Sequence, residues 1–183
     1  MFVRSPLRLS TLDLINFSVP IPAESGCVIV ICHTPWKRIL VQWCLEKKFA
    51  LVVSRGEWMH RKKHIQRQAV GFTELRNIVR HLQQKGKVIL TADNFNGFTN
   101  CPVRFLEHSR NCSTIHVRLA ILAKVPIIVM MPTLNNTSID FIKGPQFNVD
   151  HLSVDVPKST QGILAFMEKQ IEADPSLWSC YTN

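Results

Sequence analysis

The chain has 183 residues, 46% hydrophobic and 19% charged, which suits one globular domain with a full core and excludes a disordered chain. Its formal net charge of +9 favours an acidic partner: nucleic acid, an anionic membrane surface, a phosphorylated cofactor or an acidic carrier protein. Six cysteines with no Cys-x-x-Cys pair argue against a zinc site or a disulfide framework and for a reducing cytosol.

Met1 to Pro6 lacks a signal-peptide core, and no apolar run approaches the roughly 20 residues that span a bilayer. Residues 1–24 are expected to form a short helix or covering arm, because Leu12, Leu14, Ile15 and Phe17 are apolar while Pro20 and Pro22 stop regular structure. Cys27 to Cys32 reads as a buried strand, apolar and mostly β-branched. It delivers His33 to its end, where Thr34 and Pro35 suit a helix cap and a first helical position. Trp36, Ile39, Leu40, Trp43 and Cys44 share one face of a helix over 35–46, closed by Lys47 and Lys48.

Phe49 to Val53 predicts a second strand, and 54–67 a polar, strongly basic connection. A helix over 73–84 presents Leu75, Ile78, Val79 and Leu82, with Gly86 as its C-terminal cap. Lys87 to Thr91 predicts a third strand, followed by the loop Ala92 to Phe98, and Val103 to Leu106 a short one. Ser113 is expected to cap a helix burying Ile115, Leu119, Leu122 and Ala123. Pro126 to Met131 predicts a fourth buried strand, Ser138 to Lys143 an outer strand, and Leu152 to Val156 a further short one. Thr160 to Ala173 forms the last helix, stopped by Asp174-Pro175. Strands alternating with amphipathic helices predict a layered α/β domain with a mostly parallel sheet flanked by helices, one domain over 1–183.

A histidine at a strand-to-helix junction sits where open α/β sheets place their chemistry, so His33 is the candidate general base. Arg38 is a candidate contact for a phosphate or carboxylate. His60 and His64 have helical metal-ligand spacing but no third ligand, so no metal is expected; they fit a solvated basic face with Arg61, Lys62, Lys63 and Arg67. Trp36, Trp43 and Phe72 are expected in the core.

The order of these pieces resembles the lysophospholipid acyltransferase superfamily, and within it the bacterial lipid A secondary acyltransferases. The resemblance lies in the strand ending at His33, then Arg67-Gln-Ala-Val-Gly71, an amphipathic helix, and Lys85-Gly86-Lys-Val-Ile-Leu-Thr-Ala-Asp93-Asn94. It continues through Val103-Arg-Phe-Leu106, Ser113 to Ala123, Val125 to Pro132, and the tail Ile171 to Trp178, and so covers about residues 26–178. In that family the His acts as general base on an acceptor hydroxyl, oriented by an Asp or Glu five residues later. Here that position is Arg38. The resemblance therefore implies a substitute acid, with Asp93 first and Glu57 second.

The same resemblance implies acyl transfer from a thioester co-substrate, carried by acyl carrier protein or coenzyme A, with no other cofactor. His33 and Asp93 would be catalytic, and Arg38, Arg55, Arg67 and Asn94 would contact substrate. The setting would be cytoplasmic, peripheral on the inner membrane face, with an anionic membrane surface as a further partner. The alternative is an inactive module of the same fold that binds a lipid, acyl carrier protein or another protein. Nucleic-acid binding is disfavoured, because neither an aromatic-basic platform nor a helix-turn-helix pattern is present.

Overall fold

The computed structural model describes residues 15–16, 21–22, 24–53, 69–70, 74–95, 99–135, 138–148 and 154–179. Strand β2, Cys27–Ile31, is buried along its whole length. Its apolar run is continuous because both of its faces are covered. It pairs in parallel with β5, Lys87–Thr91, on one side and with β8, Ile127–Asn135, on the other. Beyond β5 lie β3, Leu51–Val53, and β4, Ala69–Val70; beyond β8 lie β9, Ser138–Phe147, and β1, Ile15–Asn16. Every pairing in this seven-stranded sheet is parallel except β8 with β9.

The period-2 alternation of the central strands sorts side chains into two cores. Cys27, Ile29, Ile31 and Ile89 pack with Leu40, Val41 and Cys44 of helix α1, Lys37–Glu46. Val28, Val30, Val88 and Leu90 face the opposite layer. That layer is built from helices α2, Leu75–Gln83, α3, Ile115–Ala123, and α4, Val156–Ala173. The α/β layering expected from the alternating elements is therefore the observed architecture. Trp36 and Trp43 are partly buried against these cores. Phe72 lies outside the described residues.

Several local expectations are corrected. No strand is present at Val154–Asp155; Asp155 instead caps α4, its carboxylate accepting the Lys158 amide at 3.0 Å, and Pro157 follows in the first turn. The helix accordingly begins at Val156 rather than Thr160. The αL position after α2 is taken by Lys85, at φ 65°, not by Gly86. Gly86 is small for another reason: a Cβ there would lie 2.3 Å from Nε2 of His81. Thr114, not Ser113, is the cap residue of α3, and Ser113 ends a strand. Leu122 is exposed, because α3 buries His116, Val117, Leu119, Ala120 and Ala123. The strand at Ser138 is not outermost, since Ile15–Asn16 pairs beyond it.

A second sheet, β6 at Asn100–Phe105 with β7 at His108–Ser113, is an antiparallel hairpin. Its turn residues Leu106 and Glu107 both have positive φ, 49° and 63°, the tight-turn conformation that normally selects Asn-Gly. Helix α4 holds this turn in place. Glu168 accepts the Leu106 amide at 2.6 Å, and Gln161 bonds both the amide and the carbonyl of Arg104 at 2.8 Å.

Gly26 sets the entry to β2. A Cβ at that position would fall 2.0 Å from the carbonyl oxygen of Leu82 and 3.0 Å from that of Gly86. Both obstacles are backbone and cannot rotate away. Gly26→Ala is therefore expected to lower stability by about 2–3 kcal/mol through forced overpacking, measured as a lower urea midpoint. An unchanged midpoint would contradict the close approach.

Candidate active site

The parallel register of β2 and β5 brings the site together. Ile31 faces Thr91, and extending the same offset of 60 positions places His33 opposite Asp93, just past the ladder. The Ala92 amide still bonds the Ile31 carbonyl at 2.9 Å. One step further, the Asp93 carboxylate takes over as acceptor. The His33 amide donates to its two oxygens at 2.9 and 3.0 Å. Ring nitrogen Nδ1 of His33 lies 2.8 Å from Oδ1. The indole N–H of Trp178 donates to Oδ2 at 2.8 Å.

Asp93 is almost wholly buried, its side chain only 1% exposed, while that of His33 keeps 17%. Burial by itself raises a carboxyl pKa, but here the hydrogen bonds and charge of His33, with the Trp178 donor, outweigh it and hold Asp93 below the usual carboxylate value. An ionised carboxylate can only accept hydrogen bonds. Nδ1 must then carry the imidazole proton, which leaves Nε2 as the basic nitrogen. The crossovers out of β2 and β5 leave in opposite directions, through α1 to β3 and through α3 to β8. The carboxyl end of β2 is thus a switch point of the kind where open sheets bind ligands.

Thr34 and Trp36 close the junction into α1: Oγ1 of Thr34 accepts the Trp36 amide at 3.4 Å, and its carbonyl accepts that of Lys37 at 3.0 Å. Lys37, the first residue of α1, carries its charge near Asp93 and was not among the candidates drawn from the sequence. Burial lowers the pKa of its ammonium, and attraction to Asp93 partly offsets this. The signal in the sequence was a cation in the first turn of a helix, where the macrodipole disfavours it. Trp178 was also missed as a site residue, although the Asp174-Pro175 stop before it was visible.

Arg38 is the second residue of α1, and its side chain lies outside the described part of the structure. Arg55, Glu57, His60, His64 and Arg67 also lie outside the described residues. Asn94 follows Asp93 in the loop, and its carbonyl accepts the Ser113 amide at 2.8 Å, tying the end of β7 to the site. Among the described residues no His, Cys, Asp and Glu cluster could hold a metal ion. The five described cysteines are buried free thiols. Burial pushes Cys27 up to about 11 and Cys44 and Cys112 up to about 12. Cys32, next to His33, is raised by burial and by the Asp93 charge. None of these four supplies a thiolate nucleophile at neutral pH.

The family model for the bacterial lipid A biosynthesis acyltransferases matches residues 50–181, well over half the chain. The chain belongs to the bacterial lipid A biosynthesis acyltransferase family. The matched span contains Asp93 and Trp178, whereas His33 and α1 precede it. Among solved structures, the chain is similar to the 1-acyl-sn-glycerophosphate (LPA) acyltransferase PlsC from Thermotoga maritima, at 12% identity and a TM-score of 0.57, over 87% of this chain and 72% of that one. At that identity the likeness speaks for the shared α/β fold. A search of curated proteins found no match. Family membership assigns this acyltransferase to acyl transfer in lipid biosynthesis. Among the described residues no helix is long and apolar enough to cross a membrane.

Proposed function

We propose that this acyltransferase moves an acyl chain from a thioester, on acyl carrier protein or coenzyme A, to a hydroxyl or amine of a lipid-like acceptor, with His33 as general base. The observation that carries this reading is the 2.8 Å contact between His33 Nδ1 and a buried, ionised Asp93. Nε2 takes the acceptor proton as the acceptor oxygen or nitrogen attacks the thioester carbonyl. The tetrahedral intermediate then collapses, the C–S bond breaks, and the imidazolium returns the proton to the departing thiolate. Asp93 holds the tautomer and stabilises the imidazolium that forms in between.

Lys37 adds a cation close enough to feel Asp93, suited to an anionic group on donor or acceptor. Arg38, Arg55, Arg67 and Asn94 remain the proposed substrate contacts. The net charge of +9 fits an acidic carrier or a peripheral position on an anionic inner membrane face. The alternative of an inactive binding module rests on the arginine at position 38, where the family motif has its acid. A carboxylate already on the His33 ring removes that ground.

The test is incubation of the purified full chain with acyl carrier protein and coenzyme A thioesters of several lengths. Thiol release is followed with and without lysophospholipid and lipid A precursor acceptors. The expected result is acceptor-dependent thiol release with a matching acylated product. No release with any donor and acceptor pair would overturn the enzymatic reading in favour of the binding module.

A further inference from the structure

The chain leaves α4 through a tightly specified turn. Asp174 accepts from the Ser176 amide at 3.0 Å and from its hydroxyl at 2.7 Å, Pro175 begins a 3-10 turn over Pro175–Leu177, and the Trp178 amide bonds the Pro175 carbonyl at 3.3 Å. The next two residues reach the site from the side opposite α1. The indole N–H of Trp178 donates to Oδ2 of Asp93 at 2.8 Å, and the Ser179 amide donates to the His33 carbonyl at 2.8 Å. The indole ring is braced edge-on against the fully buried Phe105, with centroids 5.7 Å apart. The C-terminal segment therefore touches both members of the pair from a direction that the β2–β5 register does not control.

We propose that Trp178 is the positioning residue of the site, its indole N–H anchoring Oδ2 of Asp93 so that Oδ1 stays aimed at Nδ1 of His33. The inference rests on the reading of His33 and Asp93 as a catalytic pair. A buried carboxylate with one oxygen on the imidazole needs a second donor to fix its plane, because the His33 amide bonds both oxygens almost equally, at 2.9 and 3.0 Å. The donor also draws negative charge towards Oδ2. Without it, the carboxylate plane can turn and Oδ1 is less well aimed at Nδ1 of His33.

Trp178→Phe keeps the ring against Phe105 and deletes only the donor. The expected kinetic result is a fall in kcat of about tenfold, the scale of one hydrogen bond to a charged group, with KM within about twofold. The His33 Nδ1–H resonance, followed by NMR on histidine-labelled full-length chain without substrate, should shift and broaden in this variant, because its acceptor oxygen is no longer held in place. A second measurement does not depend on the folding of Trp178→Phe. In the otherwise wild-type chain the Trp178 indole N–H resonance should be slow to exchange with solvent, and Asp93→Asn should shift it. If Trp178→Phe leaves the His33 Nδ1–H resonance in place, or the indole proton is indifferent to Asp93→Asn, Trp178 merely fills space and the proposal fails. Both NMR measurements are read without a thioester, so an absence of turnover would sink the proposed reaction while leaving the positioning contact to stand or fall alone.

Discussion

Asp93→Asn is expected to lower turnover by about 10⁴-fold, the scale seen when the orienting acid of a serine-hydrolase triad is lost, or about 5 kcal/mol of barrier. The cause is a reversal of donor and acceptor roles. The carboxylate receives hydrogen bonds from the His33 amide, from His33 Nδ1–H and from Trp178. An amide side chain offers only one acceptor oxygen, and its NH₂ would meet N–H donors on the other side. Either His33 is pushed into the tautomer with its proton on Nε2, where it cannot act as a base, or the Trp178 indole loses its partner. His33→Ala removes the base itself and is expected to cost at least as much. The double variant should cost no more than the worse of the two singles, because residues acting as a unit are not additive. The check is acceptor-dependent thiol release from all three variants, beside urea denaturation. Asp93→Asn also leaves buried groups mismatched and should lose about 1–3 kcal/mol of stability, so rates are compared only where each variant is folded. Near wild-type turnover in folded Asp93→Asn would remove Asp93 from the mechanism.

Much of this site was visible in the sequence because it depends on strand register. Two strands, Cys27 to Cys32 and Lys87 to Thr91, need only pair in parallel to bring the residues beyond their ends, His33 and Asp93, together. The replacement of the usual motif acid by Arg38 pointed to another carboxylate, and Asp93 lay just past the end of a strand expected in the same sheet. The alternation that marks two-sided strands and the one-sided stripe of α1 are equally local, so the layered α/β fold could be read. What escaped was encoded by tertiary contact. The β6–β7 hairpin turns on Leu106 and Glu107 at positive φ, residues that carry no turn signal. Their conformation is sustained by Gln161 and Glu168 of a helix far along the chain. Val154 and Val156 mimicked a strand because the alternation continued into a helix cap, where Asp155 and Pro157 were the stronger signal. The contact of Trp178 with Asp93 joins residues 85 positions apart, and no periodicity reports it.

His116→Leu is expected to stabilise the protein, and to do so more strongly as the pH falls. His116 is wholly buried in the first turn of α3, and neither ring nitrogen has a hydrogen-bond partner. An apolar side chain of similar volume removes the cost of that desolvated ring, about 1–3 kcal/mol at neutral pH. Burial also pushes the pKa of His116 down from 6.5 to about 4, and the positive end of the helix dipole acts in the same direction. The unfolded chain therefore binds a proton below pH 6.5 that the folded chain refuses until about pH 4. The stability tied to the neutral ring is fully present above pH 6.5 and is lost as the pH falls to about 4, a total of roughly 3 kcal/mol. Asp93 does not enter this window: its folded pKa lies below the ordinary carboxylate value of 3.8, so its contribution is lost only at stronger acid. Urea unfolding at pH 7 and pH 4.5 should therefore show the Leu variant gaining on wild type by a further 2 kcal/mol or so at the lower pH. Parallel losses in the two proteins would mean that His116 takes up a proton in the folded state as readily as in the unfolded one, and that α3 opens to solvent at this position.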